Sequence, residues 1–133
     1  MAESPQHRFL VSALEDWVAI NLLQNDRAYL LIDNTLNRTP NIYGFVPDLC
    51  VLAGPNGEYV IGEAKTTKDL ENFHTINQLN SFLKKCSQVE NSYLVIAVPW
   101  DVTRLAKSII KQLINDRSDA SKVSIVIIQN LVC

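Results

Sequence analysis

Asp48, Glu63 and Lys65 are the residues whose types and spacing could do chemistry. The two acids flank a segment that reads as a β-hairpin. Apolar residues fill 49–53, and Tyr59, Val60 and Ile61 bring the aromatic and β-branched character of a returning strand. Between them, Gly54-Pro55-Asn56-Gly57 is turn chemistry, with glycine available where φ must be positive. A turn centred on Pro55 and Asn56 sets Gly54 against Gly57, and the same register carries Asp48 opposite Glu63. Facing residues of an antiparallel pair share one side of the sheet, with Cβ atoms about 4.5–5.5 Å apart. Lys65, two positions beyond Glu63, falls on that side too. Two carboxylates and an amine therefore converge on one patch, where a divalent cation is the natural neutraliser. A surface hairpin with a plain cross-strand charge cluster is the competing reading.

Pro47-Asp48 followed by Glu63-Ala64-Lys65 resembles the PD-(D/E)XK nuclease superfamily, which includes many restriction enzymes and Holliday-junction resolvases. The resemblance implies an α/β chain with a restriction-endonuclease-like three-layer fold, a mixed β-sheet flanked by helices in the order αβββαβαβ. It implies a metal-dependent endonuclease that hydrolyses phosphodiester bonds of nucleic acid, DNA ahead of RNA. Mg²⁺ or Mn²⁺ would be held by Asp48, Glu63 and the backbone carbonyl of Ala64, with water completing an octahedral shell. Lys65 would orient or activate the attacking water, or offset charge in the transition state. The first helix of such proteins often carries a glutamate directed at the metal, a role that falls here on Glu15, with Asp16 as the fallback. Gln78 stands four residues ahead of Phe82 on the helix after E-x-K. That spacing resembles an accessory motif whose glutamine positions the lysine, the water or the substrate. Tyrosine is commoner at the second position, so Phe82 departs from the pattern.

The elements that must position these residues follow from periodicity. Residues 1–7 read as a polar lead-in, and the helical pattern runs from Arg8 to about Gln24, with Val11, Leu14, Val18 and Leu22 as its stripe. Glu15 lies along that stripe, where a lone carboxylate is costly unless paired. Ala28 to Asp33 reads as a short buried strand. Asn34 to Gly44 is a polar loop that leads into Asp48 and is expected to rim the cleft. Beyond Lys65 comes a polar elbow with Thr67 or Asp69 as helix cap, then a helix from Leu70 to about Cys86. Its core stripe is Leu79, Phe82, Leu83 and Cys86, extended by Phe73 and Ile76. Ser92 to Val98 reads as a central strand closed by Pro99. Asp101 is the expected cap of a helix from Val102 to about Asp116, with Leu105, Ile109 and Leu113 facing inward beside Ala106, Ile110 and Ile114. Val123 to Leu131 is the final strand. The strand–helix–strand units imply parallel neighbours.

The length of 133 residues suits a single domain, and 47% hydrophobic with 20% charged residues is an ordinary globular balance. No apolar run reaches the length of a membrane span, and the N-terminus lacks a signal-peptide pattern. Cys50, Cys86 and Cys133 are widely spaced, and the first two occupy apolar-patterned positions. They read as buried thiols, which favours a reducing, cytoplasmic setting. No Gly-rich phosphate loop, nucleophile elbow or zinc-ligand spacing occurs.

The formal net charge of −2 runs against the basic footprint of a nucleic-acid binder. Arg38, Lys68, Lys84 and Lys85 are the candidate phosphate contacts. His74 faces a mostly polar helix side and is set aside. Substrate grip would then come from a modest local patch, from a homodimer, or from a larger complex. The alternative function is a catalytically silent nuclease-fold module that binds nucleic acid or a protein partner.

Overall fold

The computed structural model describes residues 4–34, 36–70, 72–117, 119 and 122–130. Helix α1 spans Pro5–Leu22, followed by a 3₁₀ turn at Arg27–Tyr29. Strands β1 (Leu31–Ile32), β2 (Leu49–Val51) and β3 (Tyr59–Ala64) come next. Then follow helices α2 (Thr67–Leu70) and α3 (Phe73–Ser87), strand β4 (Ser92–Pro99), a 3₁₀ turn at Trp100–Val102, helix α4 (Thr103–Asn115) and strand β5 (Ser124–Asn130). The chain is α/β, with five strands in the order β1-β2-β3-β4-β5. β1, β2 and β3 are antiparallel neighbours, whereas β3, β4 and β5 run parallel. The sheet is mixed, as the hairpin and the two crossovers require.

Two apolar layers sandwich this sheet. On one face Leu10, Leu14 and Val18 of α1 pack on Leu49, Val51, Val60, Val95 and Ala97. On the other, α3 and α4 bring Leu79, Phe82, Leu83, Ala106 and Ile110 against Cys50, Ile61, Leu94 and Ile96. At Gly62 α1 packs tightly on β3: a Cβ there would stand 3.1 Å from Leu14 and from Leu49. Among the described residues, no helix is long and apolar enough to cross a membrane.

The hairpin turns where its composition dictates. Gly57 N–H donates to the Gly54 carbonyl at 3.0 Å, which centres the turn on Pro55 and Asn56. Gly57 has φ +78°, a conformation that glycine adopts without a Cβ clash. Glu58 is buried beneath the turn and accepts the Asn56 N–H at 2.7 Å.

Several local expectations are corrected. The first helix begins at Pro5 rather than Arg8, because Ser4 caps it by accepting the His7 N–H. The strand expected over 28–33 shrinks to Leu31–Ile32, since the Asp26 side chain accepts the Ala28 N–H and draws residues 27–29 into a 3₁₀ turn. The helix expected from Leu70 is split. Asn72 is extended, and its side chain accepts the His74 N–H to start a new helix. Phe73 consequently points outward, 80% exposed, instead of joining the core stripe. Asp69 binds the N–H and hydroxyl of Thr66. Asp101 lies within the 3₁₀ turn, and no side chain caps α4. Leu105 is exposed, and the buried stripe of α4 runs through Ala106, Ile110 and Leu113. The loop over 36–45 folds onto α3 rather than merely rimming a cleft. The Phe45 ring meets His74 and Phe82 edge-on, and the Tyr43 hydroxyl bonds Gln88. Leu131 and Cys133 lie outside the described residues.

Candidate metal-binding site at the ends of β2 and β3

The pairs Leu49↔Gly62, Cys50↔Ile61 and Val51↔Val60 define the β2–β3 register, and one further step sets Asp48 opposite Glu63. Two hydrogen bonds lock that step. Asp48 N–H donates to Glu63 Oε1 at 3.0 Å, and Ala64 N–H donates to Asp48 Oδ2 at 2.9 Å. The Asp48 carboxylate thus takes the position of a ladder carbonyl. Lys65 Nζ stands 3.3 Å from Glu63 Oε2, and Lys65 N–H donates to the Ala97 carbonyl at 2.9 Å. Strand alternation puts Asp48 with Cys50, and Glu63 and Lys65 with Ile61, on the face covered by α3.

Burial makes this cluster electrostatically tense. Glu63 is 2% exposed and Lys65 8%. Burial first, and then the neighbouring Asp48 charge, push the Glu63 pKa well above the ordinary glutamate range, against the pull of Lys65. Burial also disfavours the Asp48 anion. Hydrogen bonds from His7, Glu63 and the Ala64 N–H outweigh it and hold Asp48 below its ordinary value. Of the two, Glu63 is the one whose protonated form its surroundings favour, and a cation could take the place of that proton. Among the described residues, no group of three or more His, Cys, Asp or Glu forms a ready-made metal cluster. Two carboxylate donors nonetheless suit Mg²⁺ or Mn²⁺, because Mg²⁺ sites commonly use one or two carboxylates plus water and substrate phosphate.

Two further residues at this site escape sequence reasoning. His7 Nε2 lies 3.2 Å from Asp48 Oδ2, reaching over from the first turn of α1. The signal was present: stepping back from Val18 through Leu14 and Val11 by fours and threes lands on His7. Asp33 is the second. The pairs Leu31↔Cys50 and Ile32↔Leu49, continued by the Asp33 N–H to Asp48 carbonyl bond of 3.0 Å, place it opposite Asp48 on the β1 side. Its Oδ1 is buried and makes no hydrogen bond among the described residues. A polar residue closing an apolar run was the only trace of it in the sequence.

The remaining candidates lie at varied distances from this centre. Glu15 sits eight residues beyond His7 on α1, about 12 Å along the axis. Burial raises its pKa, Arg27 opposes that rise, and Asp16 adds to it. Asp16 is exposed and paired with Arg27 at 2.9 Å. Gln78 is 6% exposed, and its Oε1 lacks a hydrogen-bond partner among the described residues. It lies on α3 one turn from both His74 and Phe82, beneath the segment that leads to Asp48. Phe82 is fully buried and offers no hydroxyl. Arg38 and Lys68 are exposed, and Lys84 is stacked on the Tyr43 ring at 4.6 Å, away from the acids. Lys85 is half-buried in the last turn of α3.

No family model matches the chain, and neither a curated protein nor a solved structure does.

Proposed function

We propose that this protein is a Mg²⁺- or Mn²⁺-dependent nuclease of the PD-(D/E)XK type, with a restriction-endonuclease-like fold, acting on DNA ahead of RNA. One observation carries the reading. Asp48 and Glu63 meet across β2 and β3, with Lys65 Nζ 3.3 Å from the glutamate. A structural hairpin has no reason to bury two juxtaposed acids, since doing so forces one of them to keep a proton.

The chain's own residues divide the work. Asp48 and Glu63 would hold the cation, with the Ala64 carbonyl completing the protein donors. When bound, the cation supplies a lowered water pKa and steadies charge on the phosphate oxygens. Lys65 orients the attacking water and offsets developing charge. The Ala64 N–H and His7 fix the rotamer of Asp48. Asp33 and Gln78 bring spare acceptor oxygens to the neighbourhood. Glu15, about 12 Å further along α1 than His7, would act only as a longer-range charge on the cation. Reduced, buried Cys50 and Cys86 accord with a cytoplasmic setting.

Incubation with Mn²⁺ and labelled DNA and RNA tests the reading, with Asp48→Ala as control. Cleavage by wild type and not by the variant supports it, and retained cleavage by Asp48→Ala sinks the mechanism. The acidic net charge of −2 favours a second reading, a silent nuclease-fold module that binds nucleic acid or a protein partner. Calorimetry separates the two, because the module would bind nothing when titrated with Mn²⁺. A homodimer or larger complex would supply substrate grip under either reading.

A further inference from the structure

Two large aromatic side chains stand exposed at the same end of the sheet as the acid pair. Trp100 is 54% exposed and Phe73 80%. The β3–β4 pairing Ala64↔Ala97 sets Lys65 level with Val98, and Trp100 follows two residues on, as the first residue of the 3₁₀ turn that leaves β4. At strand rise and spacing, that is roughly 8 Å between the Cα positions of Lys65 and Trp100. Phe73 opens α3, the helix that crosses back from the end of β3.

The exposure of Trp100 is imposed by its surroundings. Val102 is buried and pins the 3₁₀ turn to the core, and the Thr103 hydroxyl donates to the Trp100 carbonyl at 3.0 Å. The ring is left facing outward. Two exposed cations lie near these rings in the chain: Arg104, one helical turn beyond Trp100, and Lys68, five residues before Phe73. Asp101, also exposed, is the acid beside Trp100. Aromatic faces beside cations near a phosphate-processing centre are the elements with which proteins bind single strands. In a duplex the bases are already stacked on one another and offer no free face.

We propose that Trp100, assisted by Phe73, is a base-stacking shelf at the mouth of the site, and that the preferred substrate is an unpaired strand rather than a duplex. This rests on the nuclease reading and specifies its substrate class. The ring takes no part in bond cleavage and acts by holding the strand across Asp48 and Glu63.

The test uses Trp17→Phe protein, in which Trp100 is the remaining tryptophan, in EDTA so that nothing is cut. Oligothymidylate should quench Trp100 emission, and a duplex of the same length should not. By anisotropy of the labelled strand, Trp100→Ala should bind roughly tenfold more weakly, the scale of one lost stacking contact. Trp100→Phe, which keeps a ring, should recover most of that affinity, and duplex binding should not change. Unchanged emission at saturating single strand, or equal affinity in Trp100→Ala, overturns the shelf. If Mn²⁺-dependent cleavage persists alongside that result, the nuclease reading survives without it. Failure of wild type to bind or cut any nucleic acid overturns both.

Discussion

Asp48 and Glu63 each fix the other through a backbone amide. Glu63 Oε1 accepts the Asp48 N–H at 3.0 Å, and Asp48 Oδ2 accepts the N–H of Ala64, next to Glu63, at 2.9 Å. The carboxylates are thereby part of the β2–β3 ladder as well as the proposed cation site. Substitutions here should separate stability from chemistry.

Asp48→Ala leaves the Ala64 N–H without its acceptor, which should cost about 1–3 kcal/mol and abolish cleavage. Asp48→Asn keeps a carbonyl oxygen for that N–H and should recover most of the stability without recovering activity. Urea unfolding beside a cleavage assay measures both effects.

Glu63 should make the metal-free protein less stable as pH rises. Its folded pKa lies above the ordinary 4.5, so the folded state holds more protons in that window. Stability then falls with rising pH, because the unfolded chain releases that proton earlier. Asp48 acts oppositely: its lowered pKa contributes stability that is present above 3.8 and lost as pH falls through the folded value. In EDTA, Glu63→Gln should flatten the decline that begins above the ordinary glutamate value of 4.5 in a thermal-unfolding series. Mn²⁺ at roughly one hundred times its Kd should stabilise wild type by about 2.7 kcal/mol and leave Glu63→Gln unmoved.

His7→Ala removes the imidazole that holds Asp48 Oδ2 at 3.2 Å. Losing a group that orients a metal ligand typically reduces metal affinity or activity about 10–100-fold. Calorimetry with Mn²⁺ should show that loss, while circular dichroism should show an intact fold. Equal Mn²⁺ affinity in wild type and variant would count against the contact.

Gly62→Ala drives a methyl to 3.1 Å from Leu14 and from Leu49. Overpacking of this kind costs about 1–3 kcal/mol. Because Leu14 and His7 share α1, the shift should weaken Mn²⁺ binding together with thermal stability. Gly44→Ala is the contrast. Open space surrounds that position, so its cost is confined to the strained φ of +92°.

Cys50 and Cys86 should resist thiol reagents in the folded protein. Burial raises the Cys50 thiol to about 11 and the Cys86 thiol to about 12, so at neutral pH few thiolates form. In a Cys133→Ser background, colour development with a disulfide reagent should be slow until urea unfolds the chain. Rapid labelling of the native protein would contradict their burial.

Much of this architecture was readable from residue order. Periodicity of two and near 3.6 marks the helices and strands, and the pairing from Val51↔Val60 to Leu49↔Gly62 is the expected one, although the Gly54 N–H bonds the Glu58 carbonyl instead of Gly57, so the loop closes one residue wider than a two-residue turn. The failures share a cause. Where a helix starts depends on a single side chain finding a backbone N–H, as Ser4 and Asn72 do. Periodicity does not register such contacts, so it assigns Phe73 to the core stripe and passes over His7.

The local chain, then, determined on its own that two acids and a lysine share one side of a hairpin, since strand geometry repeats every second residue. The tertiary structure alone decided that His7 from α1 and Asp33 from β1 approach Asp48, and how deeply Glu63 is buried. Those outcomes depend on which surfaces pack together, and packing joins residues that no sequence spacing relates.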